Sequence, residues 1–89
     1  MAYFAVLLPM KDEELSKEHR PAHLAYLDAR RSEGKIFANG RFTDGSGGLV
    51  VYIADSLAEA TALAEADPFV MHGARHCHLH EWDIVIAPR

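Results

Sequence analysis

The sequence predicts an α+β domain in which four strands and two helices follow one another in the order β-α-β-β-α-β. Short apolar runs, each the length of a strand, alternate with two segments whose apolar residues recur at helical spacing. A glycine-rich turn from Asp44 to Gly48 joins the second run to the third. At 89 residues, 49% of them hydrophobic, the chain has the size of a single domain.

The first strand and first helix are predicted in the N-terminal third of the chain. Tyr3 to Leu8 is an apolar run that ends before a proline, which suits a strand covered on both faces. The charged segment from Lys11 to His19 is predicted as a solvated loop or a loose helical turn. Pro21 fits the first turn of a helix, because its missing N–H is not needed there. We therefore expect the first helix from Pro21 to Glu33.

The middle of the chain predicts a β-hairpin. Ile36 to Phe42 is expected to form the second strand, in which Gly40 marks a bulge or a close backbone approach. Leu49 to Ala54 is rich in β-branched residues and is the clearest strand in the sequence. The turn between them contains Asp-Gly and Gly-Gly pairs, which adopt positive φ at little cost.

The second helix is predicted to begin after Ser56, because Ser56 and Glu59 have the spacing of a capping box. It is expected to end at Asp67, because a following proline disfavours the helical conformation. Asp67 can then cap a new short turn that begins at Pro68. The segment from Arg75 to Ile86 predicts the last strand.

This order of elements is that of the split βαβ, ferredoxin-like arrangement, an antiparallel four-stranded sheet with two helices on one face. The first and third strands are apolar on both sides, and no third long helix is predicted to cover the second face. A chain of this size also buries only about 60–65% of its unfolded surface. We therefore expect a homodimer in which the sheets of two copies face each other.

Composition and charge limit the expected partners. The formal net charge of −4 and a pI near 5.8 argue against nucleic acid, whose phosphates favour a basic face. No run of eighteen apolar residues predicts a membrane span, and the N-terminus lacks the pattern of a signal peptide. The single cysteine, Cys77, cannot form an internal disulfide, so the cytoplasm is the expected location.

His23 and Asp67 are the candidate catalytic residues. Each lies close to a predicted helix start, and a histidine beside a carboxylate can be oriented and tuned for proton transfer. Structural alternatives exist for both residues. His23 is compatible with a partly buried imidazole that serves packing, and Asp67 with a plain helix cap before proline.

Arg20, Arg41 and Ser46 are the candidate substrate-binding residues. A guanidinium can bind an anion through its planar set of donors, although a surface ion pair is the alternative for both arginines. The turn around Ser46 can present backbone N–H groups to an anion, or it can be only a hairpin turn.

The row His76, His78 and His80 is the candidate metal-binding pattern. On a strand these three side chains point to one face, and Cys77 and Leu79 point to the other, under the helices. Successive members of the row are about 6.6 Å apart, so the three imidazoles cannot readily share one ion. We therefore expect a polar stripe toward the dimer side or solvent, with no metal and no cofactor. His19 and His72 are interpreted as loop residues.

Arg20-Pro21-Ala22-His23-Leu24 resembles a hallmark of the YciI-like (YCII-related) proteins. Further segments resemble motifs of that family in the same order along the chain: the Gly40 strand, the Asp44-to-Leu49 hairpin, Asp67-Pro68-Phe69 and Glu81-Trp82. The resemblance implies a dimeric α/β barrel built from ferredoxin-like protomers, with one pocket in each protomer. It also implies that the histidine and the aspartate form a dyad in that pocket.

The resemblance further implies a fold like that of muconolactone isomerases and a likeness to a dehydrochlorinase of hydroxylated aromatics. We therefore predict that residues 1–89 form one YciI-like domain, a cofactor-independent enzyme of isomerase or lyase type. In this interpretation His23 moves a proton on a small anionic or phenolic substrate, and Asp67 orients it. Arg20, Arg41 and Ser46 bind that substrate.

Two alternatives to an enzyme stay open at the level of the sequence. The first is a non-catalytic metabolite-binding or regulatory module that uses the same pocket. The second is an accessory subunit that docks another protein or a metal ion through its sheet or its histidine stripe. An apolar patch that remains exposed after dimerisation favours the second.

Overall fold

The fold is described from a computed structural model that covers residues 1–88, and Arg89, the last residue of the predicted domain, lies outside the described residues. Three helices and four strands follow in the predicted order, with one short helix added before the last strand. The strands are β1 (Ala2–Pro9), β2 (Ile36–Arg41), β3 (Gly47–Ala54) and β4 (His78–Trp82). The helices are α1 (Glu13–Ser32), α2 (Leu57–Glu65) and α3 (Pro68–Met71).

The four strands form one antiparallel sheet in the order β2-β3-β1-β4. The two apolar strands, β1 and β3, occupy its centre. Side chains alternate between the two faces of a strand, and every second residue of β1 and β3 joins the core with Leu27 of α1 and Leu63 of α2. Phe4, Val6 and Tyr52 are at most 1% exposed there. This arrangement confirms the predicted ferredoxin-like α+β fold.

The first helix begins at Glu13 and not at Pro21. Asp12 caps it, because its carboxylate accepts a hydrogen bond from the N–H of Leu15 at 3.0 Å. The prediction of a loop for the charged segment is therefore wrong. Proline inside a helix disfavours it, but tertiary contacts outweigh that local preference here. Ser16, in the early turns of α1, is buried and its hydroxyl lies 3.3 Å from the carbonyl oxygen of Ala74.

The irregularity of the hairpin lies at the start of β2 and not at Gly40. The register between β2 and β3 shifts between Ile36 and Ala38, and a Cβ atom at Gly40 would meet nothing within 4 Å. The close approach falls on the partner strand, where a Cβ at Gly48 would lie 2.8 Å from the carbonyl oxygen of Gly40. Glycine is therefore required at Gly48, because the neighbouring backbone occupies the space of a side chain.

Side-chain caps define the starts of α2 and α3. The hydroxyl of Ser56 accepts from the N–H of Glu59 at 3.1 Å, as the capping-box spacing predicts. Asp67 caps α3, where its carboxylate accepts from the N–H of Phe69 at 2.9 Å. His72 follows α3 as its C-terminal cap, so its predicted place in a loop agrees only in part. His19, also predicted in a loop, lies within α1.

The last strand is shorter than the segment from Arg75 to Ile86 that the sequence predicts. It pairs with β1 alone, from His78 opposite Leu7 to Trp82 opposite Tyr3. His78 and His80 are exposed on the face away from the helices. Cys77 and Leu79 pack against the core, on the helix side. Within residues 1–88, no group of three His, Cys, Asp or Glu side chains is arranged to hold a metal ion.

The sheet face opposite the helices, here called the outer face, is apolar at its centre and carries His78 and His80 on its β4 edge. Paired residues of β1 and β3 supply its centre, among them Tyr3 opposite Ile53 and Ala5 opposite Val51. The rings of Tyr3 and Phe37 meet edge to face on it, with centroids 5.3 Å apart. Among residues 1–88, no helix combines the length and the apolar character that a membrane crossing needs.

Gly48→Ala is expected to destabilise the fold by about 1–3 kcal/mol, because the added methyl group meets backbone that cannot move away freely. Gly40→Ala, on the paired strand, is the matched control, and its free energy of unfolding should stay within about 0.5 kcal/mol of the wild type. Urea denaturation measures both values. Equal stability of the two variants would contradict this account of the hairpin.

Candidate active site

His23 lies in the middle of α1 on the side that faces α3. Its side chain is 11% exposed, and its Nδ1 atom lies 2.8 Å and 3.0 Å from the two carboxylate oxygens of Asp67. The imidazole also stacks on the ring of Phe69, with centroids 3.8 Å apart and an interplanar angle of 11°. Two contacts therefore fix both the position and the rotation of the histidine ring.

Asp67 determines which nitrogen of His23 carries the proton. Its carboxylate is 1% exposed and contacts both the N–H of Phe69 and Nδ1 of His23. An ionised carboxylate only accepts hydrogen bonds, so Nδ1 must be the donor. The neutral ring is therefore the Nδ1–H tautomer, and Nε2 is the nitrogen that can accept a proton from a ligand.

His23 borders a cavity of about 120 Å³ between α1 and the β2–β3 hairpin, and Asp67 lies behind it. The volume is somewhat smaller than that of an engineered cavity of about 150 Å³ that binds benzene. The cavity therefore holds at most one ring, whose substituents would lie toward its open side. Leucine, valine and phenylalanine side chains form much of its wall. These are Leu8, Leu24, Leu27, Leu49, Val50 and Phe69.

Three arginines line the cavity: Arg20 from α1, Arg41 from the end of β2, and Arg75 from the segment between α3 and β4. Within residues 1–88, none of the three has a carboxylate oxygen within 4 Å. Arg30 and Arg31, outside the cavity, each pair with a nearby carboxylate. No aspartate or glutamate lines the cavity, so its lining favours an anion.

Arg75 is held more firmly than an exposed arginine. Its Nε donates to the hydroxyl of Ser16 at 3.1 Å, and an Nη donates to the carbonyl oxygen of Leu8 at 3.3 Å. Its guanidinium carbon lies 4.4 Å from the centroid of the Phe69 ring. Burial and then the charge of Arg20 lower the pKa of Arg75, because both disfavour the charged form.

The structure brings together four of the five candidate residues. His23 and Asp67 are in contact, and Arg20 and Arg41 line the same cavity as His23. Ser46 is not among the lining residues. It belongs to the hairpin turn, where its N–H donates to the carboxylate of Asp44 at 2.9 Å. The turn geometry therefore accounts for Ser46 without a ligand.

Sequence reasoning missed Arg75 and Phe69 as parts of this site. Phe69 belongs to the Asp-Pro-Phe segment, but its stacking on His23 has no local signal. Arg75 carries one weak signal, since it is the only Lys or Arg between Arg41 and Arg89. Its bonding partners come from distant parts of the chain, which is why spacing alone does not reveal them.

A second stack joins α1 to the end of α3 one turn before His23. The rings of His19 and His72 are parallel within 2°, with centroids 3.9 Å apart. Together with the His23–Phe69 stack, this contact fixes the short helix α3 on α1. The position of the cap residue Asp67, and hence of the dyad, depends on that attachment.

Comparison with known proteins agrees with this fold and assigns the family. Residues 1–83 match the YCII-related domain. The chain belongs to the YCII-related family. A relative of this YCII-related protein, the uncharacterized protein YjpA of Bacillus subtilis (strain 168), is 35% identical over 82 residues. That match spans 92% of this chain and 96% of YjpA.

One solved structure of similar fold is that of 5-chloro-2-hydroxyhydroquinone dehydrochlorinase (TftG) from Burkholderia phenoliruptrix AC1100, in complex with 2,5-dihydroxybenzoquinone. It superposes on this YCII-related protein with a TM-score of 0.77 and 24% sequence identity. The match covers 91% of this chain and 93% of the dehydrochlorinase chain. At this identity the likeness supports the fold.

The neutral His23 ring is expected to carry its proton on Nδ1, because that nitrogen lies 2.8 Å from a carboxylate oxygen of the buried Asp67. Ring ¹⁵N chemical shifts measured above the titration range of the imidazole distinguish the two tautomers. Exposed His80 is the internal control and should show a tautomer mixture typical of solvated histidine. A neutral His23 protonated on Nε2 would contradict the geometry described.

Proposed function

We propose that this YCII-related protein is a cofactor-independent enzyme of isomerase or lyase type, which moves a proton on a small anionic substrate. One observation carries the proposal. A buried carboxylate, Asp67, holds Nδ1 of His23, and that histidine borders a cavity of the size of one ring. This arrangement supplies an oriented base next to a space for a ligand.

In the proposed mechanism Nε2 of His23 accepts a proton from a carbon or hydroxyl group of the substrate. The ring becomes an imidazolium, which Asp67 stabilises through the hydrogen bond at Nδ1. If the proton returns to a different substrate atom, the result is an isomerisation. If the electrons of the broken C–H bond form a double bond while a leaving group departs with its electron pair, the result is an elimination.

The cavity supports an anionic ring as substrate. Arg20, Arg41 and Arg75 line it, and guanidinium groups stabilise the negative charge that develops on oxygen when a neighbouring proton is removed. The dehydrochlorinase of similar fold holds 2,5-dihydroxybenzoquinone, a hydroxylated six-membered ring. The arginine side chains that line the cavity can donate hydrogen bonds to the oxygen atoms of a ligand of that kind.

Asp67→Asn tests the dyad without removing the helix cap. The amide oxygen of asparagine can keep the place of Oδ1, which contacts both the N–H of Phe69 and Nδ1 of His23. The NH₂ group then takes the place of Oδ2, 3.0 Å from Nδ1. The cap is kept, but the negative charge that stabilises the imidazolium is lost. We expect turnover to fall by about 10²–10⁴-fold in Asp67→Asn and in His23→Gln.

Turnover can be measured on a panel of hydroxylated and chlorinated quinols and enolisable ring acids. Chloride release reports elimination, and hydrogen–deuterium exchange of substrate C–H groups in D₂O reports proton transfer. His76→Gln is the matched control, because His76 is exposed and does not line the cavity. Unchanged turnover in His23→Gln would overturn the proposed mechanism.

A non-catalytic metabolite-binding or regulatory module is the second candidate. The observation that favours it is the unpaired set of cavity arginines, since Arg20, Arg41 and Arg75 suffice to bind an anion without any proton transfer. This alternative expects ligand affinity to survive His23→Gln within a few-fold and no product to form. The panel assay and a binding measurement on the same variant separate the two candidates.

We also propose that residues 1–89 act as one domain, and that two copies pair through the outer face. Supporting this, the centre of that face is apolar, and aromatic side chains at its margin remain exposed: Phe37 is 43% and Trp82 is 40% exposed. Apolar patches of this kind are typical of protein interfaces. The occupant we expect is a second sheet of the same shape.

Ile53→Lys, on the outer face, is expected to convert a dimer into a monomer, because it places a charge in an apolar interface. Leu57→Lys is the matched control, since Leu57 is 56% exposed on α2, away from that face. Light scattering after size-exclusion chromatography gives the mass of each variant relative to the 9.9 kDa chain. A wild-type monomer, or a dimer that persists in Ile53→Lys, would contradict the pairing.

A further inference from the structure

Arg75 differs from the other two cavity arginines in its burial and in its bonds. Among the three cavity arginines it is the half-buried one, whereas Arg20 and Arg41 are exposed. Its bonds to Ser16 and Leu8 occupy Nε and one Nη donor, and a guanidinium has further N–H donors on its Nη atoms. Those remaining donors have no carboxylate partner within residues 1–88.

A half-buried cation without a carboxylate in contact is costly. The neighbouring Arg20 adds repulsion, and the charge of Asp67 offsets a part of these costs. The chain contains 13 acidic residues, yet none of them lines this cavity. An anionic group on a ligand would supply a counter-charge in contact with Arg75 and would offset the repulsion from Arg20. Arg75 has no carboxylate in contact and is only partly solvated. An anion bound to it therefore contributes more binding free energy than an anion bound to an exposed arginine.

The guanidinium of Arg75 is also oriented in advance. Its Nε is bonded to Ser16, and its plane packs on Phe69, so little side-chain freedom remains to be lost on binding. His23 packs on Phe69 as well. The imidazole centroid and the guanidinium carbon lie 3.8 Å and 4.4 Å from the same ring centroid. They are therefore no farther apart than the length of a six-membered ring with its substituents, and one ring that carries a carboxylate is a ligand of matching length.

We propose that Arg75 determines substrate specificity by binding a carboxylate that is separate from the atom His23 deprotonates. This inference rests on the proposed function, which assigns the deprotonated atom to His23, and it adds the chemical class of the substrate. That class is small cyclic or aromatic carboxylic acids, in preference to neutral quinones and phenols of the same size. A planar carboxylate matches the donor fork of a guanidinium in two parallel hydrogen bonds.

Benzoate and benzamide are the probes for this inference, because they have the same size and differ in charge. Isothermal titration or ¹⁵N-detected NMR titration at fixed ionic strength gives both affinities. Wild-type protein is expected to bind benzoate at least about tenfold more tightly than benzamide. This ratio corresponds to the net contribution of one charge-assisted hydrogen bond to the binding free energy. Arg75→Met is expected to abolish that preference.

Arg41→Met is the matched control, since the same substitution removes an exposed cavity arginine and should lower the preference by less than about fivefold. If Arg75→Met fails to fold, the inference can still be tested on the wild-type protein, by following the NMR signal of the Arg75 Nε–H group. That signal is expected to shift with benzoate and not with benzamide. A preference that survives Arg75→Met, or an Nε–H signal unmoved by benzoate, would overturn the inference.

Failure of this inference is distinguishable from failure of the proposed function. Binding of the probes does not require turnover, so His23→Gln should keep the benzoate preference while it loses activity. Retained turnover in His23→Gln contradicts the proton-transfer mechanism alone. Equal affinity of the wild type for benzoate and benzamide contradicts the role of Arg75 alone.

Discussion

The contact between His23 and Asp67 is the interaction on which the rest of the site depends. It joins the middle of α1 to the first residue before α3, and it satisfies a carboxylate that is 1% exposed. An unpaired buried charge is strongly destabilising, so the imidazole and the N–H of Phe69 are needed for the fold as well as for any reaction. The stability of the fold and the proposed reaction therefore depend on the same hydrogen bond.

The four-residue helix α3 has no stability of its own at that length. Successive turns of α1 hold the segment that contains it: Ser16 bonds to Arg75, His19 stacks on His72, and His23 meets both Asp67 and Phe69. These contacts are hydrogen bonds and ring stacks, whereas the core between the sheet and the helices is held by apolar packing. One face of α1 therefore holds α3 and the residues around it in place, and the candidate site lies at this contact.

Local patterns were sufficient for most of the fold, because strand alternation, capping residues and turn glycines act over a few residues. The start of α1 was not accessible in this way. Pro21 favours a later start, and the contact of Ser16 with a residue 58 positions away outweighs it. The meeting of His23 and Asp67, 44 positions apart, was predicted from the family resemblance and not from spacing. Arg75 escaped prediction because its partners lie 59 and 67 positions earlier.

Gly40 and Gly48, on the two strands of the hairpin, have unequal freedom, and this difference determines where the sequence can vary. Gly48 is locked by the backbone opposite it, whereas Gly40 has open space where a side chain would project. Both residues border the cavity. Gly40 pairs with Leu49, which lies on the outer face with Val51 and Ile53, so a side chain at Gly40 would project there. Sequence change at Gly40 can therefore reshape the surface proposed for pairing while the core on the other side of the sheet is left intact.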